Sequence, residues 1–225
     1  METAPRSRDG SLHVTDERFN AASHLTGACF ALVGGGLIVA QAAVQGDVWK
    51  VVGFSVYATS LLVLFVASTL HHSIDAGPRV NEILRTLDYD SVFFVIAGTV
   101  TPLVLVLFRS VYGWTVLGGV WLIAVAGIVL RSVWCQAPKY ITNTLYLALG
   151  WITALLGVVA VGLPWGALIL MGAGGLVYTI GFVIFVIERP NPWPGVFGFH
   201  EVWHVMVLVA ALLHYLLIAV YLLPA

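Results

Sequence analysis

The chain has 225 residues, 60% of them apolar and 9% charged, with a formal net charge of −1 and a mean hydropathy of +0.98. Soluble domains are about half apolar and about a quarter charged, so this composition excludes an ordinary water-soluble globule and a disordered chain. No basic run exists to serve as a nucleic-acid footprint, and two cysteines, Cys29 and Cys135, cannot build a disulfide framework or a cysteine-based zinc module.

Residues 1–20 form a polar tail carrying Arg6, Arg8, Asp9, Asp16, Glu17 and Arg18. The apolar run behind it is long enough to span and lacks a clear small-residue cleavage signal, which predicts a retained first helix and not a signal peptide. Roughly 20 apolar residues cross a bilayer. Seven runs meet that demand: 22–44, 51–70, 91–108, 114–134, 143–162, 165–187 and 201–223. Punctuation separates them: Gly46-Asp47, the polar stretch 73–90 with Gly77-Pro78, Arg109 to Gly113, Ala137-Pro138-Lys139, Leu163-Pro164, and Glu188 to Gly198. Backbone amides in lipid must be satisfied within their own element, so the runs read as helices. The alternation of an outer-membrane barrel is absent. The expected fold is therefore all-α, a seven-transmembrane-helix bundle over residues 21–225. Its many glycines, Gly34-Gly35-Gly36 among them, serve close helix packing.

Lys and Arg in the short loops set orientation. The side holding the N-terminus carries eight, Arg6, Arg8, Arg18, Arg79, Arg85, Arg131, Lys139 and Arg189, against Lys50 and Arg109 on the other. That asymmetry predicts a cell-membrane protein with a cytoplasmic N-terminus and an outside C-terminus. Trp49, Trp114, Trp134, Trp165 and Trp193 near the span ends suit an interfacial belt.

Ionisable groups within spans are costly and mark candidate sites. Six of the seven histidines lie in or at the end of a span. Ser68 and His72 stand one turn apart at the end of the second span, and His200 and His204 repeat that spacing at the start of the seventh. Asp88 sits just ahead of the third span. The end of an even span and the start of an odd one share a leaflet, so all five groups come to one level, cytoplasmic by the charge rule.

Three neutral imidazoles with an open fourth position make a catalytic zinc site. Zinc there activates water and polarises a carbonyl. Asp88 is placed to take the water's proton, and Ser68 to hold a ligand or an oxyanion. The chemistry expected is zinc-assisted hydrolysis of an amide or ester in a membrane lipid whose acyl chain lies between helices. Outside that set, His71 reads as a neighbour facing headgroups or another helix. His24 reads as packing or support for the site. Asp90 caps or solvates the start of the third span, Glu188 ends the sixth in the headgroup region, and the cysteines fill apolar space. His214, roughly 15 Å deeper than His204 by helical rise, is an interior histidine.

A competing motif occupies the same stretch. His200-Glu201-Val202-Trp203-His204 spells H-E-x-x-H, in which metalloproteases use the glutamate as general base. A protease takes its third ligand from downstream, where His214 stands alone. Here the third histidine comes from upstream.

These residues also carry a family likeness. Ser68-Thr69-Leu70-His71-His72 resembles the S-x-x-x-H signature of hemolysin III-type proteins, within the progestin and adipoQ (adiponectin) receptor family. Leu87-Asp88-Tyr89 with Ile96 to Pro102 is similar to that family's third-span motif, and Gly198 to His204 to its seventh-span H-x-x-x-H. Ser23-His24 is similar to the bacterial members. The likeness covers about residues 18–223. It implies that His72, His200 and His204 bind zinc, that Asp88 holds the reacting water, and that Ser68 takes the serine one turn before the ligand. It also implies ceramidase-type hydrolysis or a part in membrane-lipid homeostasis. His71 departs from the aromatic usual there, and the S-x-x-x-H spacing favours His72 as the ligand. Two other classes stay open on the sequence: a non-catalytic sensor of membrane lipid, and a hemolysin-type pore.

Overall fold

The computed structural model describes residues 17–134, 138–152, 154, 156 and 162–225. Seven α-helices run through them: α1 (Glu17–Gln45), α2 (Val48–Ser73), α3 (Pro78–Leu107), α4 (Val111–Val133), α5 (Lys139–Ile152), α6 (Trp165–Ile187) and α7 (Phe199–Leu217). A π-helical turn, Ile218–Leu222, prolongs the last. Among the described residues the architecture is all-helical, as the apolar runs require. Six helices, all but α5, are long and apolar enough to cross a membrane. The expected fifth span, 143–162, falls partly outside the described residues, as do the tail residues Arg6, Arg8, Asp9 and Asp16, and Cys135. Cys29 is exposed on the outside of α1.

Short-range chemistry sets several helix ends. Asp47 Oδ1 accepts from the amides of Trp49 at 2.9 Å and Lys50 at 3.2 Å, capping α2. Gly46, at φ 72°, supplies the left-handed residue that ends α1. The Ser110 hydroxyl caps α4 through Gly113 N at 3.2 Å.

Two helices start earlier than hydropathy suggested. Residues 17–20, expected in the polar tail, form the first turn of α1. The polar stretch 73–90, expected as a loop, is non-helical only at 74–77, and α3 begins at Pro78. Hydropathy marks the part of a helix that sits in hydrocarbon, not the whole helix. Pro78 is preorganised for a first turn, and no glycine or proline interrupts the chain from 79 to 97.

The core is built of small and aromatic residues in close approach. A Cβ on Gly27 of α1 would stand 2.7 Å from Leu208 of α7 and 2.8 Å from Phe65 of α2. One on Gly98 of α3 would collide with Ser60 of α2. Glycine thus lets α1 approach α2 and α7 closely, and α3 approach α2. Large apolar side chains cover the outside instead: Phe30, Leu122, Val111 and Trp165 are among the exposed ones. An apolar exterior over a partly polar interior is the arrangement expected of a membrane bundle.

Candidate metal centre

Four elements bring their polar ends to one end of the bundle: the start of α1, the last turn of α2, the first half of α3 and the start of α7. His72 occupies the last turn of α2. His200 and His204 lie one turn apart at the start of α7, whose first turn is pinned by its neighbours. Asn191 Oδ1 accepts from Phe199 N at 2.9 Å, and Glu201 Oε2 accepts from Gly198 N at 2.7 Å.

The three imidazoles form a nearly equilateral group. Ring centroids are 5.0 Å apart for His72 and His200, 4.8 Å for His72 and His204, and 4.9 Å for His200 and His204. One ring nitrogen from each lies within 4.8 Å of the other two, and all three residues are buried. Such a group could hold a metal ion. The chemistry of the set fits one: nitrogen donors of intermediate softness, from two helices, at one depth. Their outer contacts fit as well. His72 Nδ1 lies 2.5 Å from Glu17 Oε2, and His204 Nδ1 lies 3.4 Å from Ser23 Oγ. With Nδ1 engaged, each of these two rings keeps Nε2 for the common point.

A second, overlapping group consists of His71, His72 and Asp88, again with ligand atoms within 4.8 Å of one another. Asp88 therefore belongs beside the imidazoles, although it lies well inside α3 and not ahead of it. Ser68 is buried and lines the same cavity as Asp88. His71, expected to face headgroups or another helix, is buried and faces inward.

Ser68, His71, Asp88, His200 and His204 line one end of a cavity of about 530 Å³. The rest of the lining is mostly apolar, with Leu64, Val95, Val100, Leu103, Leu217 and Ile218, and includes Thr99, Tyr178 and His214. That volume falls in the range of small-molecule sites.

The remaining sequence candidates find structural work. His24 stacks on His204, with centroids 3.8 Å apart, and meets the Phe65 ring edge-on. His214 bonds to the Met171 carbonyl at 3.3 Å, far down α7. Asp90 does not cap α3. It lies within the helix, accepts from Ser132 at 3.1 Å and faces Arg131 at 3.7 Å. Glu188 follows α6 in a left-handed conformation, φ 53°. Glu201 is fully buried, and both of its oxygens are taken, Oε2 by Gly198 N and Oε1 by Asn20 Nδ2 at 3.2 Å. A carboxylate so engaged ties α7 to α1, and the H-E-x-x-H match loses its general base.

Glu17, expected in the polar tail, and Asn20 instead join the site from α1, against His72 and Glu201. The available signal was spacing: Glu17, Asn20, His24 and Gly27 recur at three and four residues, one helix face.

A family model for haemolysin-III-related proteins matches residues 12–215. Hemolysin-3 of Bacillus cereus is 30% identical over 216 residues, covering 94% of each chain. Human monocyte to macrophage differentiation factor is 26% identical over 180 residues, 78% of this chain and 73% of that one. The rice heptahelical transmembrane protein ADIPOR2 is 30% identical over 182 residues, 72% and 77% of the two chains.

Proposed function

The chain belongs to the haemolysin-III-related family, within the wider group that includes adiponectin-receptor-like proteins, and we propose that it is a zinc-dependent hydrolase of an amide or ester bond in a membrane lipid. The observation that carries this reading is the continuity of one cavity. At one end it is lined by His200, His204, Asp88 and Ser68, and beyond them mostly by apolar side chains. A lipid fits such a space with its carbonyl at the polar end and its acyl chain along the rest.

His72, His200 and His204 would hold the ion. When bound, it supplies Lewis acidity for a carbonyl and for water. Asp88 accepts a proton from the attacking water as the water oxygen bonds to the carbonyl carbon. The proton then passes from the Asp88 carboxyl to the departing nitrogen or oxygen as the C–N or C–O bond breaks. The products are a fatty acid and an amine or alcohol. Ser68, which lines the cavity beside Asp88, is placed to keep that carboxylate turned toward it. The apolar lining excludes bulk water, which strengthens each of these contacts.

The reading includes seven crossings, with α5 belonging to the fifth, and a site at the cytoplasmic leaflet of the cell membrane. Eight Lys and Arg residues against two support that side.

The test is release of fatty acid by purified protein from a panel of ceramides, N-acyl amines and lysolipid esters. Wild type turns over at least one class. Asp88→Asn keeps its metal and loses a factor of about 10²–10⁴ in rate, the usual worth of a positioned base. Full metal occupancy without hydrolysis of any panel lipid removes the hydrolase reading and leaves a lipid sensor. Dye leakage from liposomes on protein addition supports a pore instead.

A further inference from the structure

Helix α1 gives no ligand to the histidine triad, yet it touches two of the three rings. Glu17 Oε2 lies 2.5 Å from His72 Nδ1, and Ser23 Oγ lies 3.4 Å from His204 Nδ1. An ionised carboxylate can only accept, so the His72 Nδ1 must carry the hydrogen and donate it. A neutral imidazole with hydrogen on Nδ1 keeps its lone pair on Nε2. The other tautomer, or a turned ring, would present an N–H where a cation needs a lone pair.

Exposure separates the two partners. The His72 side chain is 1% exposed, whereas Glu17's is 26% exposed. Both line a groove on the outside of α1 and α2, together with Arg18, Thr69 and Ser73. The inner cavity is lined by Ser68, His71, Asp88, His200 and His204, and neither Glu17 nor His72 is among its walls. Glu17 therefore reaches the triad from behind, away from the space assigned to lipid.

We infer that Glu17 is a positioning residue of the metal centre: from the outer groove it fixes the tautomer and ring orientation of His72, and so sets ion affinity without contacting the lipid. This rests on the metal reading above. A carboxylate behind a metal-binding imidazole is worth about 10–100-fold in affinity. Ser23 does the same for His204 at longer range and with a neutral group, so its share is smaller.

The experiment compares wild type with Glu17→Asp, Glu17→Gln, Glu17→Met and Glu17→Ala. Zinc affinity is read by competition with a chromophoric chelator, and ligand geometry by the visible absorption of the cobalt-loaded protein. A fluorescent fatty-acyl probe reports on the cavity of the metal-free protein. Met and Ala are expected to bind zinc about 10–100-fold more weakly and to alter the cobalt spectrum. Gln falls between them and wild type, because its amide oxygen still accepts from Nδ1 but without charge. Asp recovers part of the loss. Probe affinity stays unchanged throughout. If the pair only clamps α1 to α2, Gln and Met shift thermal stability and leave zinc affinity alone, which overturns the inference. Equal zinc affinity across all variants overturns it too, with the metal reading intact. Absence of metal from wild type removes the metal reading itself. Should the Ala variant fail to fold, the Gln and Met variants, close to Glu in length, decide the matter.

Discussion

At one end of the bundle Lys50, 6% exposed, donates to Gln45 Oε1 at 2.9 Å and to the Leu223 carbonyl at 2.8 Å. At the other end three buried imidazoles stand ring beside ring, with Glu17, Asp88 and Glu201 around them. The first arrangement matches a donor to acceptors, and the chain itself completes it. It ties the α1–α2 turn to the last residues of the chain. The second brings three imidazoles together, with one ring nitrogen from each within 4.8 Å of the other two. An end whose donors and acceptors are matched is structural, whereas one that clusters ring nitrogens this closely could hold a cation. Burial of polar groups does not by itself mark a site; the pairing of donors with acceptors does.

The contrast breaks most visibly at the histidines. His204→Ala should remove bound metal, read as metal per chain, while the helical circular dichroism persists. Next in size is Glu201→Gln. A glutamine offers one acceptor where the native carboxylate serves both Gly198 N and Asn20 Nδ2, so one buried donor loses its partner at a cost of about 1–3 kcal/mol. Thermal unfolding should register that cost, with metal content unchanged. A protease-type general base at this position would instead predict lost activity at unchanged stability. Smallest in its effect on the site is Lys50→Met, which removes two hydrogen bonds of the lysine ammonium at about 1.5–3 kcal/mol each. It should lower the unfolding midpoint and leave metal content and lipid turnover at wild-type levels. If Lys50→Met alters metal content as much as a histidine variant does, the distinction between the two ends fails.

Much of the polar end was legible in the sequence, because two simple rules reach it. Spacing of four puts Ser68 with His72 and His200 with His204, and parity of the spans puts both pairs at one level. Asp88 comes to the expected level but lies within α3 and not ahead of it, because Pro78 starts a helix where polar composition suggests a loop. His71, expected to face headgroups or another helix, is buried beside His72 in the last turn of α2. Glu17 was invisible for a different reason. A charge next to a polar tail looks solvated until the fold brings it to a residue 55 positions away. The Lys50–Leu223 tie, spanning 173 positions, left no local signal at all. Local periodicity survives in sequence, whereas a lone long-range partner does not.

The account stands or falls on the triad. Elemental analysis of the purified wild-type protein beside His72→Ala addresses it most directly. One divalent metal ion per wild-type chain and almost none in the variant is the predicted result. A wild-type protein that carries no transition metal, or a His72→Ala protein that carries as much as wild type, contradicts it.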